Sequence, residues 1–423
     1  MELHLQRVLR VVLATAVAAP AAAQQCYSPQ NQCFSFAPPG EEVERVDSGI
    51  VLRSESLEIT GDIRFRARFA STATDAPYNE NDQQTTRTRI QLNYTVNENV
   101  TAFAEFNFAE VWAGAEGYSD AQPDPTMNGF ASRENFNAIG QAYMQLDDAF
   151  DMDLSVRIGR SNYFLANGMV LGSCDFLQYS GAFTGAWIAK SFDVGEEGQV
   201  DLEIFGFDNY GPLQSQLPGG GERYYGGTAR WTVSEDGPVR SANAYYMAGT
   251  NDGDVSRNAG DDWTGVELDG AIADEFDWFA QFAHRQVAGG PDVSASRARI
   301  EYNPEGENRT LRQVSYTFTD SEGALHVNPA DFNTAGLLHQ YGGIWRSDLQ
   351  TNQLSAAFGL PKGFDGTLSA ISLDRRGAAM QLGDFEIDAL LGKTFDSGVH
   401  FGFGYGIDND DRQVGYVQFT VYF

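Results

Sequence analysis

The sequence predicts an all-β fold: a transmembrane antiparallel β-barrel of about 18 strands, with 16 as the competing count, since such barrels have even strand numbers. Three observations carry this reading. Long stretches alternate apolar and polar residues with period two, no window reaches the ~18 apolar residues that a membrane helix needs, and the final strand ends on an aromatic residue, Phe423. Composition narrows the field further. The 423 residues carry 28 Lys plus Arg against 58 Asp plus Glu, a formal charge of 28 − 58 = −30. That balance excludes a basic nucleic-acid footprint, and 42% apolar with 13% aromatic residues excludes a disordered chain.

The N-terminus reads as an export address. Arg7 and Arg10 precede a short apolar run, Val11 to Ala19, and Pro20-Ala21-Ala22-Ala23 supplies an A-x-A cleavage site, so residues 1–23 are assigned as a signal peptide. Residues 24–55, with Pro38, Pro39 and several Glu, form a periplasmic or mobile lead-in, and the barrel occupies 56–423. Cys26 lacks the Leu and small residue expected before a lipoprotein acceptor; with Cys33 it reads as a short disulfide loop, leaving Cys174 as a free thiol.

The strands follow in order. Leu57, Ile59, Ile63, Phe65 and Phe69 alternate with Glu58, Thr60, Asp62, Arg64, Arg66 and Arg68. Ile90, Leu92 and Tyr94 oppose Arg87, Arg89, Gln91 and Asn93; after a tight Asn97-Glu98-Asn99 turn, Ala102, Ala104, Phe106 and Phe108 oppose Phe103, Glu105 and Asn107. Further on, Ala142, Met144 and Leu146 oppose Gln141, Tyr143 and Gln145, and Leu154, Val156 and Ile158 oppose Ser155 and Arg157. Ala298, Ile300 and Tyr302 oppose Arg297, Arg299 and Glu301; Val399, Phe401, Phe403 and Tyr405 oppose His400 and three glycines. In the last strand Val417, Phe419, Val421 and Phe423 oppose Tyr416, Gln418, Thr420 and Tyr422. One face thus suits lipid with aromatic girdles, and the other suits a wet lumen and would ruin a packed core. A last strand ending on Phe resembles the signal that the assembly machinery of bacterial outer-membrane barrels reads, which places the protein in that membrane among lipid and lipopolysaccharide. Residues 116–135, 210–221 and 251–262 are extracellular-loop candidates; Asn97 to Asn99 is a periplasmic turn.

Alternate residues on a strand project to one side about 6.6–6.8 Å apart. Arg64, Arg66 and Arg68 beside Arg87 and Arg89 therefore make a cationic wall, fully charged and able to pair bidentately with carboxylates. The competing reading has lumen arginines paired across strands with carboxylates such as Glu105 or Glu301, stiffening the wall without selecting a solute. Loop acids, including Asp252, Asp254, Asp261, Asp262, Asp408, Asp410 and Asp411, read as solvated.

Several short segments resemble the alginate-export porin family. They are Ile59-Thr-Gly-Asp-Ile-Arg-Phe-Arg66, Thr86-Arg-Thr-Arg-Ile90, Gln141-Ala-Tyr-Met-Gln145, Arg157-Ile-Gly-Arg160, Leu171-Gly172-Ser173, His339-Gln-Tyr-Gly-Gly343 and Leu382-Gly-Asp-Phe-Glu-Ile-Asp388. The resemblance implies an 18-strand outer-membrane channel that exports an anionic uronic-acid polysaccharide. It also implies a lumen role for Arg64, Arg66, Arg87, Arg89, Arg157, Arg160, Glu386 and Asp388. With Arg68, Glu105, Gln141, Tyr143, Gln145, Arg297 and Arg299 these are the candidate pore-lining residues.

The sequence carries no recognisable catalytic or metal-binding motif. No H-E-x-x-H, G-x-S-x-G, Walker or Cys-x-x-Cys motif occurs, and His284, His326, His339 and His400 lack metal-pair spacing. No enzyme, cofactor or metal is expected. Two classes stay open: a passive channel, either for anionic oligo- or polysaccharide or for small solutes generally, and a non-conducting surface or structural barrel.

Overall fold

The computed structural model describes residues 56–71, 83–113, 136–172, 182–195, 198–209, 222–233, 237–250, 260–304, 310–323, 325, 327, 336–337, 348–375 and 384–423. The signal peptide, the lead-in with Cys26 and Cys33, Cys174 and His339 to Gly343 lie outside them. Eighteen strands follow one another: β1 Leu57–Ser71, β2 Gln83–Asn97, β3 Val100–Ala113, β4 Phe136–Ala149, β5 Leu154–Ser161, β6 Phe183–Asp193, β7 Gln199–Asn209, β8 Glu222–Thr232 and β9 Ser241–Thr250. The second half comprises β10 Asp262–Ala273, β11 Phe276–Gln286, β12 Val293–Tyr302, β13 Leu311–Glu322, β14 Leu349–Leu360, β15 Phe364–Arg375, β16 Phe385–Thr394, β17 Val399–Asp408 and β18 Gln413–Tyr422. Each pairs antiparallel with its neighbours in sequence, and β1 pairs with β18 from Asp62↔Tyr422 to Ser71↔Gln413, closing the barrel. The 18-strand count is the one the alternation predicts.

Alternation sorts the side chains between two solvents. Outward-facing Ile63, Ile204 and Leu354 are 48%, 60% and 54% exposed, whereas inward-facing Arg64, Glu105 and Glu386 are 3%, 1% and 0% exposed. A water-soluble protein would invert this order, so the exterior matches hydrocarbon. Aromatics mark its two rims: Tyr94, Trp231 and Phe276 near one end, Phe69, Tyr225 and Tyr246 near the other, all exposed.

Connections alternate between the two ends of the barrel, and the longest ones all lie at one end. The β2–β3, β4–β5, β6–β7, β10–β11, β14–β15 and β16–β17 links are tight, and with β8–β9 (233–240) and β12–β13 (303–310) they share one end. At the first, the Asn97 side chain accepts the Asn99 N–H at 2.9 Å, an Asx turn that explains the local Asn-Glu-Asn sequence. The opposite end carries the links from 114–135, 162–182, 210–221, 251–261 and 323–348, as expected for the loop candidates.

The seam between the first and last strands extends past β18. Gly61 N–H donates to the Phe423 carbonyl at 2.7 Å, and Phe423 N–H returns a bond to Gly61 at 3.0 Å. A Cβ on Gly61 would stand 2.1 Å from the Arg89 carbonyl and 2.8 Å from the Phe423 ring. Gly61→Ala is therefore expected to destabilise the closed barrel by about 1–3 kcal/mol. Urea unfolding of the refolded protein in lipid vesicles, followed by gel mobility, measures it; an unchanged midpoint would show that the seam tolerates the methyl.

Candidate functional site

The lumen divides into a polar wall and an apolar one. On the polar wall, Arg64 and Arg87 sit directly opposite each other across β1 and β2, an arrangement that like charges disfavour. Asp62 offsets it: its Oδ1 lies 3.2 Å from Arg87 Nη2 and its Oδ2 2.5 Å from Arg89 Nε, with all three side chains largely buried. Arg66 donates from Nε and Nη2 to Gln418 Oε1 at 2.9 and 2.6 Å, and its guanidinium lies 5.6 Å over the Tyr416 ring. Arg68 pairs with Tyr416 across the seam in backbone register, but its side chain lies outside the described set. On β12, Arg299 is held by Glu301 and Arg297 stacks 5.0 Å over the Phe279 ring. These arginines form buried networks, with Arg87 only 2% exposed.

The other candidates differ in environment. Glu105 pairs with no arginine among the described residues. Its Oε2 accepts from Gln91 and Gln141 amides at 2.8 and 3.3 Å, and its buried Oε1 has no partner. Gln141 also accepts the Asn162 N–H at 3.0 Å, tying the wall to the segment after β5. Tyr143 stacks on Phe103 with centroids 5.1 Å apart, and Arg157 lies 4.8 Å over the Tyr143 ring while its Nε donates to Gln145 Oε1 at 2.9 Å.

Three expectations need correction. Arg160 shares its register with Ala142 and Thr184, on the face that carries outward-exposed Met144 and Ile158, so it points away from the lumen and donates to the Gly140 carbonyl at 3.1 Å. The reason is parity: Arg157 and Arg160 are three residues apart, and an odd spacing on a regular strand puts them on opposite faces. Glu386 and Asp388 do face inward, but as anchors. Asp388 Oδ2 accepts the Leu337 N–H at 3.2 Å, and Glu386 packs so closely on Gly336 that a Cβ there would stand 2.7 Å from its carboxyl. Asp261 and Asp408, expected in solvated loops, are also buried: Asp261 binds Arg285 at 2.5 and 2.8 Å, and Asp408 binds Arg412 Nε at 2.6 Å.

Sequence reading missed the apolar wall. Beyond Ser161 the chain folds into the barrel, and Leu165, Met169, Val170 and Leu171 are at most 1% exposed. They form one cluster with Phe183, Trp187, Phe205, Phe207, Tyr224, Met247 and Trp263, the inward residues of β6 to β10. The segment doubles back through Ala166, Asn167 and Gly168, all with positive φ, so that Leu165 and Leu171 pair. A second connection joins it: Val327 N–H donates to the Val170 carbonyl at 2.9 Å, and Trp263 Nε1 donates to the Leu325 carbonyl at 2.9 Å. Tyr163 bonds Glu203 on the wall. Burial, reinforced by that carboxylate, pushes the Tyr163 phenol well above its usual range and keeps it protonated. The available signal was Ile204-Phe205-Gly206-Phe207, apolar on both faces where a wet lumen would want one polar face.

No family model matches the chain, and no curated protein does, so the resemblance to the alginate-export family gains no support there. Solved structures do match. Pseudomonas aeruginosa OpdQ superposes with a TM-score of 0.58 at 12% identity, covering 87% of this chain and 97% of that one. Pseudomonas aeruginosa OccK2 (OpdF) in complex with glucuronate gives 0.58 at 10% identity, covering 87% and 98%. Pseudomonas aeruginosa OccK8 (OprE) gives 0.56 at 12% identity, covering 87% and 98%. The fold is the 18-strand porin-type barrel.

The inward segment is held by apolar contact, so a charge within it should expel it. Leu171→Asp is expected to red-shift the emission of Trp187 and Trp263 and to open residues 162–172 to protease, while the barrel keeps its folded gel mobility. Unchanged emission and protection would mean that the segment is fixed by other contacts.

Proposed function

We propose that the protein is a passive channel of the bacterial outer membrane for small hydrophilic solutes, with a preference for anionic saccharides of the uronate class. The observation that supports this reading best is the pairing of a hydrocarbon-facing exterior with an interior of arginine, glutamine and carboxylate, narrowed on one side by an inward-folded segment. Rings of arginine favour anions in a pore, and one solved structure of this fold, OccK2 (OpdF), is a complex with glucuronate. Export of an alginate-like polymer is the narrower form of the same proposal and rests on the short resemblances alone. In this reading the C-terminal strand ending at Phe423 meets the barrel assembly machinery, lipopolysaccharide surrounds the long-loop end, and the short turns face the periplasm.

A second reading draws on one observation. Arg64, Arg66, Arg87, Arg297 and Arg299 are all buried, which suits a wall-stiffening network in a non-conducting barrel. The reversal potential of the refolded protein in a planar bilayer under a salt gradient separates the two. Anion preference is the expected result. Cation preference would leave a general diffusion channel, and no conductance steps would favour the structural barrel. Asp62→Asn, which strips the counter-charge from Arg87 and Arg89, is expected to raise the anion preference if the barrel folds; an unchanged potential would show that the solute path does not sense this network.

A further inference from the structure

The geometry points to a discrete carboxylate-binding subsite at Arg157, on the lumen wall near the short-turn end, built by Tyr143, Gln145 and Phe103. It deepens the anionic-solute reading and rests on it. The arginines that the sequence pattern brings forward are buried in networks: Asp62 takes Arg87 and Arg89, Gln418 takes Arg66, and Glu301 takes Arg299. Arg157 differs on each count. It is half-buried on the inward face of β5, and among the described residues no carboxylate comes within ion-pair distance of it.

Its side chain is nevertheless held in place. Phe103 and Tyr143 stack at an interplanar angle of 24°, and the guanidinium continues that stack at 4.8 Å. Gln145 fixes rotation within the stack by accepting from Nε at 2.9 Å, and its own amide is oriented by Asp147 Oδ1 at 3.0 Å and by Ser155. With Nε taken by a neutral acceptor, the edge bearing the two Nη nitrogens is left for a planar anion, and that edge matches a carboxylate bidentately. A side chain immobilised before binding loses little entropy when the ligand arrives. Glu203, on the inward face of β7, is already engaged by the Tyr163 hydroxyl. The ligand class is a small hydroxy-carboxylate such as a hexuronate, with its carboxylate on the Nη edge.

The test uses the full-length barrel in planar bilayers, with glucuronate as probe and glucose as the neutral control. Glucuronate is expected to reduce the open-channel current and glucose to leave it unchanged. Arg157→Lys keeps the charge but loses the planar fork and its stack. It should weaken the glucuronate block about tenfold, the worth of roughly one charge-assisted hydrogen bond. Gln145→Ala, which removes no charge, should weaken the block severalfold and guards against misfolding of the first variant. An undiminished block in both folded variants, with anion preference retained, would overturn the subsite and leave the channel reading standing. Loss of anion preference and of block in the wild-type protein would overturn the channel reading, and the subsite with it.

Discussion

In hydrocarbon there is no water to receive a backbone N–H or carbonyl, and each group left unpaired costs several kcal/mol. The seam between β1 and β18 answers that constraint, because an 18-strand sheet left open would expose two edges along its whole height. Ten register pairs, Asp62↔Tyr422 to Ser71↔Gln413, close it, and the reciprocal Gly61–Phe423 bonds extend the closure beyond the last strand. Once the sheet is a cylinder, period-two alternation becomes a partition between inside and outside. Every later feature follows from which residues that parity delivers to the lumen.

The lumen then has to satisfy itself. Along β1, β2 and β12 the residues delivered include arginines, and they are stabilised by Asp62, Glu301, Gln418 of β18 and aromatic faces. Along β6 to β10 the residues delivered are aromatic and aliphatic, and a bare wall of Phe205, Phe207 and Trp263 in water would be unfavourable by the area it exposes. The segment after β5 covers it with Leu165, Met169 and Leu171. Inward folding of that segment is thus a hydrophobic consequence of the strand sequences beneath it. The hydrogen bonds at its margins, from the Asn162 N–H to Gln141 and from the Val327 N–H to the Val170 carbonyl, set its position.

Strand number, strand faces and the longest connections were legible because each is encoded locally, in alternation and in turn residues. Arg64, Arg66, Arg87 and Arg89 share one strand face by the same parity, and their part in a solute path belongs to the proposed function. Parity also held the information that corrects Arg160, since its spacing from Arg157 is odd; a motif read as a block overrode it. What alternation does not encode is which lumen residues meet. The pairing of Asp62 with Arg89, the anchoring of Leu337 by Asp388 and the burial of Asp261 against Arg285 depend on register between strands and on loops that return to the interior. The apolar inner faces of β6 to β10 were visible in sequence, but their meaning required a partner segment to be seen on them.

Net charge is a poor guide to the interior for a related reason. The chain carries a surplus of 58 − 28 = 30 carboxylates, yet Asp62, Asp261, Glu301 and Asp408 are spent on arginines inside the wall or at its rim. Such pairs cancel within a few ångströms and project little field into the lumen. A solute meets the charges that remain accessible, and among the inward arginines those are half-buried Arg157 and exposed Arg230, neither with an ion-pair partner among the described residues. In the proposed channel, selectivity would follow the arginines still accessible on the wall more than those that Asp62, Glu301 and Gln418 hold in buried networks.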